Sequence, residues 1–217
     1  LINPPFIDSI VADMSDFFDE SSGAYPPMGL MYLAAYLRQS GPHQVEILDA
    51  NVLRMSYDSM TGEIRRRRPD MVGITTLTFN LPTVLRIAAD AKAIDSHVAV
   101  VLGGPHPTIF PEETLAFPQV DFVVIGEGER VFAGLVDALA AGRQPEGMAS
   151  VGWKRDGQPV LDKSTSFTDD LDSLPFPAID LIPHERYFTV LSSGGRTMVM
   201  ISSRGCPFNC IYCDRPH

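Results

Sequence analysis

Apolar runs of strand length alternate with amphipathic helical stretches over the first part of the chain. The first of five predicted strands ends at residue 3, and the others occupy residues 44–50, 70–77, 97–104 and 120–126. These strands are almost continuously apolar, which is typical of a parallel sheet covered by helices on both faces. The pattern therefore predicts an α/β fold with a doubly wound, five-stranded parallel sheet of flavodoxin-like, Rossmann-like order.

The alternation stops after residue 145. Two short strand patterns within residues 151–161 flank an Asp-Gly pair, which predicts a β-hairpin. Residues 169–183 are rich in proline and aspartate and predict an extended linker. Further strand patterns then lead to the cysteines. The predicted organisation is an α/β domain at 1–145, a hairpin and linker at 146–185, and the start of another domain at 186–217.

Composition narrows the function classes. The chain has 217 residues, 45% of them hydrophobic, and a formal net charge of −10. An acidic chain is a poor partner for nucleic acid, because phosphate binding needs a basic face. No apolar run reaches the ~18 residues of a membrane span, and no basic segment marks a signal peptide. We therefore expect a cytoplasmic protein with neither a nucleic-acid partner nor a membrane span.

All three cysteines lie in one short segment near the end of the sequence. Cys206, Cys210 and Cys213 have the spacing C-x3-C-x2-C. Three thiolates on one tight loop can ligate three irons of a [4Fe–4S] cluster and leave the fourth iron open for a small molecule. Tyr212 could pack against that molecule. His217 also completes a Cys₃His set for zinc, but zinc sites usually take ligands from two separated elements, which favours the cluster.

The loops at the carboxyl ends of the predicted strands are candidates for a second site, since open parallel sheets bind ligands there. These loops read "TTLTFN", "GGPHPTIFPEE" and "GEGE", and a long loop follows the first strand. Each has an alternative interpretation. The glycines of 103–104 can form a tight turn, the threonines can be strand formers, His106 can be a hydrogen-bonded loop residue, and Glu127 and Glu129 can complement a helix N-terminus.

Taken together, several segments resemble a known family. "INPP", "YPPMGLMYLAAYL", "VGITTLT", "LGGPHPT" and "VIGEGE" resemble the N-terminal cobalamin-binding domain of B12-dependent radical S-adenosylmethionine (SAM) enzymes. The linker "DLDSLPFPAIDLIP" and the cysteine motif are similar to those of the same family and occur in the same order.

The resemblance implies a set of site residues. The three cysteines would ligate the cluster, and the open iron would hold SAM for reductive cleavage. Cobalamin would lie with its nucleotide tail between the strand-three and strand-four loops, flanked by "GEGE". The cofactor contacts that the resemblance implies are Thr75, Leu77, Gly103, Gly104, His106, Thr108, Gly126, Glu127, Gly128, Glu129 and Tyr212. Because the first loop contains no histidine, we expect base-off cobalamin without a protein histidine on cobalt.

The implied function is that of an N-terminal fragment of a cobalamin-dependent radical SAM enzyme. Its reaction would be methyl transfer to an unactivated centre, or oxidative cyclisation like that of the anaerobic magnesium-protoporphyrin ester cyclase. We expect the catalytic residues outside the fragment, in a (β/α) barrel of which only the first strand is present. The implied partners are the small-molecule cofactors, a small-molecule substrate and an electron donor such as flavodoxin or ferredoxin.

Two alternatives stay open. A radical SAM methylthiotransferase also places a flavodoxin-like domain before its barrel, but that domain carries three more cysteines, and residues 1–205 contain none. A non-enzymatic α/β binding module with a small zinc site is the other. Metal analysis of the protein distinguishes this alternative, because the module would contain zinc and the cluster would contain iron and sulfide.

Overall fold

The computed structural model contains one mixed sheet. The residues it describes are 1–8, 23–162, 164, 167–188, 199–206, 208, 210 and 211. The strands are β1 Ile2–Asn3, β2 Leu48–Asp49, β3 Met71–Thr75, β4 Ala99–Gly103, β5 Phe122–Val124, β6 Val151–Arg155 and β7 Gln158–Leu161. Their order is β2-β1-β3-β4-β5-β6-β7, with β1 to β5 parallel. The predicted five-stranded parallel sheet of flavodoxin-like order is therefore confirmed.

Helices cover both faces of this sheet. They are α1 Met28–Ser40, α2 Tyr57–Arg67, α3 Leu81–Ile94, α4 Pro105–Ile109, α5 Pro111–Ala116 and α6 Glu129–Ala140. Helix α4 was not predicted, because "GGPHPT" carries turn signals and the helix is a single short turn after β4. None of the helices in the described ranges is long and apolar enough to cross a membrane.

The two faces have separate hydrophobic cores because side chains alternate along each strand. Val100 and Leu102 of β4 pack in one core with residues of α2 and α3, including Met60 and Ile87. Val101 of the same strand points into the other core, which contains residues of α1 and α6. This burial on both faces explains why the strands are apolar throughout rather than alternating.

The predicted hairpin forms, and it extends the parallel sheet instead of standing apart from it. Strand β6 pairs antiparallel with β5, with Val151 opposite Val124. Asp156 and Gly157 have φ angles of 52° and 78°, as a two-residue type I′ turn requires. A Cβ at Gly152 would lie 2.6 Å from the side chain of Val123 in β5 and 2.9 Å from that of Leu115 in α5, so only glycine lets β6 pack this closely against both.

The proline- and aspartate-rich linker is more ordered than predicted. It forms 3₁₀ turns at Leu171–Ser173 and Ile179–Leu181, and a third follows at His184–Arg186. Ala178 and Ile182 are buried in a core cluster with residues of α1. The expectation of a merely extended linker is therefore wrong, because its few apolar side chains pack against the surface of α1.

A buried carboxylate at the end of β2 holds the segment that follows the linker. Asp49 is 1% exposed and accepts hydrogen bonds from Asn3 Nδ2 at 2.9 Å and from the Val52 amide at 3.1 Å. The hydroxyl of Tyr187, itself 2% exposed, donates to Asp49 at 2.7 Å. The next residue, Phe188, forms an antiparallel bridge with Ala24. The carboxyl edge of the sheet is thus tied to the residues that precede the predicted cluster region.

The predicted strand that leads to the cysteines is not observed in its described residues. Residues 199–204 have no strand pairing. A single strand is not stable without a neighbour to accept its backbone hydrogen bonds, and none of the described strands pairs with this segment. The strand prediction is wrong for these residues, and the remainder of that segment, 189–198, lies outside the described part.

We expect Tyr187→Phe to lower the free energy of unfolding by about 1.5–3 kcal/mol, because the buried Asp49 carboxylate loses one of its donors. Urea denaturation followed by circular dichroism measures the change. The matched control is Tyr57→Phe, which removes an exposed tyrosine–aspartate hydrogen bond to Asp8 of 2.8 Å and should cost no more than about 0.5 kcal/mol. Equal losses in the two variants would contradict the role assigned to Asp49.

Candidate functional site

The loops after β3 and β4 touch through their backbones. The Thr76 amide donates to the Gly103 carbonyl at 2.8 Å, and the His106 amide donates to the Thr76 carbonyl at 3.0 Å. Gly104 has a φ of +96°, and a Cβ there would lie 3.1 Å from both Thr75 Oγ1 and the Thr76 carbonyl oxygen. Gly104 is therefore required by the close approach of the two loops.

Two other glycines at this edge leave open space. A Cβ at Gly103, the last residue of β4, would meet no atom within 4 Å, and the same holds at Gly126, just after β5. Gly126 also has a φ of +74°, which favours glycine. At both positions the backbone is open to a ligand at the carboxyl edge, where open parallel sheets bind their cofactors.

Thr108 joins the β4 and β5 loops. Its hydroxyl donates to the Gly104 carbonyl at 2.8 Å and accepts from the Gly126 amide at 3.0 Å. A hydroxyl has one donor and two acceptor positions, so one acceptor position remains for a ligand. The first role of Thr108 is to fix the distance between the two loops that border the open space.

His106 is buried in this edge, at 3% exposure. Its Nδ1 lies 3.2 Å from Thr78 Oγ1, and its ring centroid is 5.4 Å from that of Phe110. Burial lowers the pKa of His106 below its ordinary value, and the charge of Glu113 acts in the opposite direction. The Nε2 atom is buried without a hydrogen-bond partner. A neutral imidazole whose Nε2 has no hydrogen-bond partner can form that hydrogen bond with a bound ligand.

The carboxylates of the β5 loop bind protein groups. Glu129 is 5% exposed, and Arg204 Nη1 donates to it at 3.2 Å. The same guanidinium lies 3.4 Å from Glu127, which also accepts from the Thr168 amide at 2.7 Å. The hydrogen bond to Glu129 raises the pKa of Arg204, whose guanidinium carbon stands 5.6 Å from the Tyr32 ring centroid. Both side chains thus connect the domain to the segment before the cysteines.

The remaining predicted contacts at this edge have structural partners. The Leu77 amide donates to Asn80 Oδ1 at 2.9 Å, which starts the turn before α3. A Cβ at Gly128 would lie 3.0 Å from Leu33 Cδ2, so this glycine lets α6 begin close to α1. The structure therefore brings together the β3, β4 and β5 loops at one edge, as the sequence predicts. Direct contact of these residues with cobalamin stays a prediction.

The cysteine motif is only partly described. Cys206 and Cys210 are exposed, and Gly205 beside them has a φ of +78°. The predicted cluster ligand Cys213, the neighbouring Tyr212 and the alternative zinc ligand His217 lie outside the described residues. Within the described part of the chain, no three His, Cys, Asp or Glu side chains are grouped to hold a metal ion. Ligation by the three cysteines stays a prediction.

Sequence reasoning missed the groups that connect distant segments. Arg204 was not singled out, although it is a cation two residues before Cys206. Asp49 and Tyr187 were also missed, because each is an ordinary residue of its local pattern. The one usable signal was "GEGE", whose two carboxylates stand close together, although the adjacent cation, Arg130, donates to Ser173 instead.

An open α/β sheet with glycines at its carboxyl edge defines the class of cofactor-binding, Rossmann-like domains. A family model described as the B12 binding domain matches residues 14–136. The chain belongs to this family.

Relatives of this chain are longer proteins. A protein of Pyrococcus horikoshii named as an uncharacterized methyltransferase is 38% identical over 190 residues, covering 87% of this chain and 40% of that protein. The anaerobic magnesium-protoporphyrin IX monomethyl ester cyclase of Rubrivivax gelatinosus is 31% identical over 201 residues, covering 90% of this chain and 36% of that protein. The chain thus spans about two fifths or less of these two relatives.

Solved structures share the fold. The radical SAM methyltransferase TsrM from Kitasatospora setae, with cobalamin and a [4Fe-4S] cluster bound, superposes with a TM-score of 0.61 at 19% identity, over 81% of this chain and 30% of that one. The cobalamin-dependent radical enzyme OxsB, with aqua-cobalamin and S-adenosylmethionine bound, gives 0.64 at 16% identity, over 83% and 24%. At these identities the likeness establishes the fold alone.

We expect the stability of the folded chain to fall as the pH drops below 6.5, in part through His106. Burial holds its folded pKa below the ordinary value of 6.5, so the unfolded chain takes up the proton first. The contribution is complete above pH 6.5 and is lost between that pH and the lower folded pKa. Between pH ~7.5 and pH ~5.5, the urea midpoint of His106→Gln should change less with pH than the midpoint of the wild type.

The control for this prediction is His97→Gln, since the His97 side chain is 93% exposed. This variant should keep the wild-type pH dependence. If His106→Gln keeps it as well, burial of the His106 ring does not control the acid sensitivity of the fold.

Proposed function

We propose that the chain is the cobalamin-binding domain and cluster loop of a B12-dependent radical SAM enzyme. The observation that carries the proposal is the open backbone at Gly103 and Gly126 on the carboxyl edge of a B12-binding-domain sheet. The C-x3-C-x2-C spacing of the cysteines supports the radical SAM part.

The residues at this edge fit a cobalamin tail. Gly103 and Gly126 leave space that a side chain would fill, and Thr108 keeps one acceptor position. His106 Nε2 is a buried polar atom that needs a partner. Thr75 pairs with Gly103 across the sheet, and Leu77 follows two residues after β3. Bound cobalamin would supply the cobalt that carries a methyl group, while these residues would bind the cofactor and exclude water.

We propose that bound cobalamin would take no imidazole ligand on its cobalt from the histidines that the structure describes. Nε2 of His43 lies 2.7 Å from Asp137, His97 lies beside Asp95 before β4, and His184 belongs to a linker turn. Of the histidines that the structure describes, His106 alone lies at the carboxyl edge. Its Nδ1 already contacts Thr78, and its place in the β4 loop suits the nucleotide tail better than the cobalt.

The cysteines would hold the second cofactor. Cys206, Cys210 and Cys213 would bind three irons of a [4Fe–4S] cluster, with SAM on the open iron and Tyr212 beside it. The bound cluster would supply the electron that cleaves SAM, and a flavodoxin- or ferredoxin-type donor would replace it. This chemistry suits a reducing compartment such as the cytoplasm.

Methyl transfer is the reaction we favour. The relative from Pyrococcus horikoshii is named as a methyltransferase and is 38% identical. Cyclisation is the second candidate, since the Rubrivivax gelatinosus cyclase is 31% identical over 90% of this chain. Because the chain spans only part of both relatives, we assign substrate selection and the catalytic residues to sequence outside it. We expect the chain by itself to be inactive.

The other classes make different demands on the chain. A methylthiotransferase would need additional cysteines in the α/β domain, and all three cysteines of this chain lie at 206–213. A zinc-binding module would use the three cysteines and His217 and would carry zinc in place of iron and sulfide.

We expect Gly103→Leu to weaken hydroxocobalamin binding by about tenfold or more, because the new side chain occupies the opening in the edge. An absorbance titration of the purified chain under anaerobic conditions measures the affinity. The matched control is Gly62→Leu, since a Cβ at Gly62 in α2 also meets no atom within 4 Å but lies away from the carboxyl edge. Equal affinity in wild type and both variants would place the cofactor elsewhere.

The same preparation tests the axial ligand. After reduction to cobalt(II), the electron paramagnetic resonance spectrum should show no nitrogen superhyperfine splitting. A nitrogen triplet that disappears in His106→Ala would contradict base-off binding without a protein ligand and would make His106 the axial ligand.

We expect Cys210→Ala to abolish most iron binding after anaerobic reconstitution with iron and sulfide, because three thiolates are needed to hold the cluster. Iron, sulfide and zinc analysis measures the outcome, and Ser203→Ala, which leaves all three thiols in place, is the control. The wild-type cluster should be labile in air, since Cys206 and Cys210 are exposed. Stoichiometric zinc in the wild type would favour the zinc module instead.

A further inference from the structure

Arg204 connects the predicted cluster loop to the α/β domain through two acidic side chains. Its Nη1 lies 3.2 Å from Glu129 Oε2 and 3.4 Å from Glu127 Oε2, and its Nη2 also donates to Glu129. We call Arg204, Glu127 and Glu129 the carboxylate clamp. Its carboxylates stand at the start of α6, whereas its cation belongs to a segment far along the chain.

Burial makes this contact specific. The Glu129 side chain is 6% exposed and that of Arg204 is 22% exposed. A carboxylate removed from water needs hydrogen-bond donors or a paired cation, and Arg204 supplies both to Glu129, so the domain favours the state in which Arg204 is bound. A guanidinium suits this place, because its fork reaches two carboxylates while its face lies over the Tyr32 ring, 5.6 Å from the centroid.

The clamp stands between the two proposed cofactor sites. Arg204 precedes Cys206 by two residues, with Gly205 between them at a φ of +78°. On the other side, Glu127 follows Gly126, which borders the open carboxyl edge. The short loop after β5 therefore contains Gly126, which borders the proposed cofactor site, and Glu127, whose carboxylate contacts Arg204 at the start of the cysteine segment.

We propose that Arg204 is a positioning residue, which fixes the cluster loop at a set distance from the cobalamin edge through Glu127 and Glu129. The identity of the two cofactors rests on the proposed function, but the clamp itself does not. Methyl transfer and radical generation at two centres require a defined separation between those centres, and a buried ion pair at the root of the loop supplies it.

The first experiment needs no cofactor. Hydrogen exchange of the amides in residues 199–206, measured by mass spectrometry on the 217-residue chain, reports how firmly this segment is held. Glu129→Gln and Arg204→Met should each speed exchange there by about tenfold or more, because the charge-assisted contact is lost. The double variant should exchange no faster than the faster single one, since both remove the same contact.

The matched control is Glu146→Gln. Glu146 pairs with Arg155 at an exposed position on the hairpin, so this variant removes an arginine–glutamate contact of the same type elsewhere. Exchange at residues 199–206 should stay at the wild-type rate. Unchanged exchange in β3 and β4 shows that each variant is folded. If Glu129→Gln does not fold, the result for Arg204→Met tests the proposal, because that variant alters no core residue.

The second experiment separates positioning from simple stabilisation. In chain loaded with cobalamin and cluster, pulsed electron paramagnetic resonance between cobalt(II) and the reduced cluster should give one narrow distance. Arg204→Met should broaden that distribution while iron and cobalamin contents stay at wild-type levels. Arg204→Lys should give an intermediate width, because an ammonium keeps the charge but cannot bridge both carboxylates with a fork.

Each outcome bears on the proposal. Wild-type exchange at residues 199–206 in both Glu129→Gln and Arg204→Met overturns it, and so does an unchanged distance distribution in Arg204→Met. Failure to load iron or cobalamin counts against the proposed function instead, and in that case the exchange experiment on the metal-free chain still decides the clamp.

Discussion

The rest of the structure depends on a carboxylate that has no access to water. Asp49 ends β2, and because it is 1% exposed its charge must be met by donors from the protein. Those donors come from β1, from the turn after β2 and from Tyr187 beyond the linker. One buried group thereby joins the first strands of the sheet to a segment that otherwise has little apolar surface of its own.

This anchor and the carboxylate clamp attach the later part of the chain at two points. Tyr187 reaches the carboxyl edge beside β1 and β2, and Arg204 reaches it beside β5. Between these points lie the β3 and β4 loops, where Gly104 permits close backbone contact and Gly103 leaves open space. The edge that can receive a cofactor is therefore bordered by the attachments that hold the cysteine segment near it.

Local patterns predicted the elements better than their relations. Continuous apolar runs located β3 and β4, and an Asp-Gly pair located the hairpin turn, because both depend on the nearest residues. The same reasoning missed that the hairpin joins the sheet, since pairing with β5 depends on the space at Gly152. It also described the linker as extended, because a few apolar residues among prolines show no periodicity until α1 is in place to receive them.

The sequence by itself determined the order of the five parallel strands, the cysteine spacing and the set of loops that meet at the carboxyl edge. Only the tertiary structure decided which charges pair. The chain contains 27 acidic residues, and nothing local selects Glu129 for Arg204, 75 positions away, or Asp49 for Tyr187, 138 positions away. The selection comes from burial, because a carboxylate removed from water is stable only where the folded chain brings a donor to it.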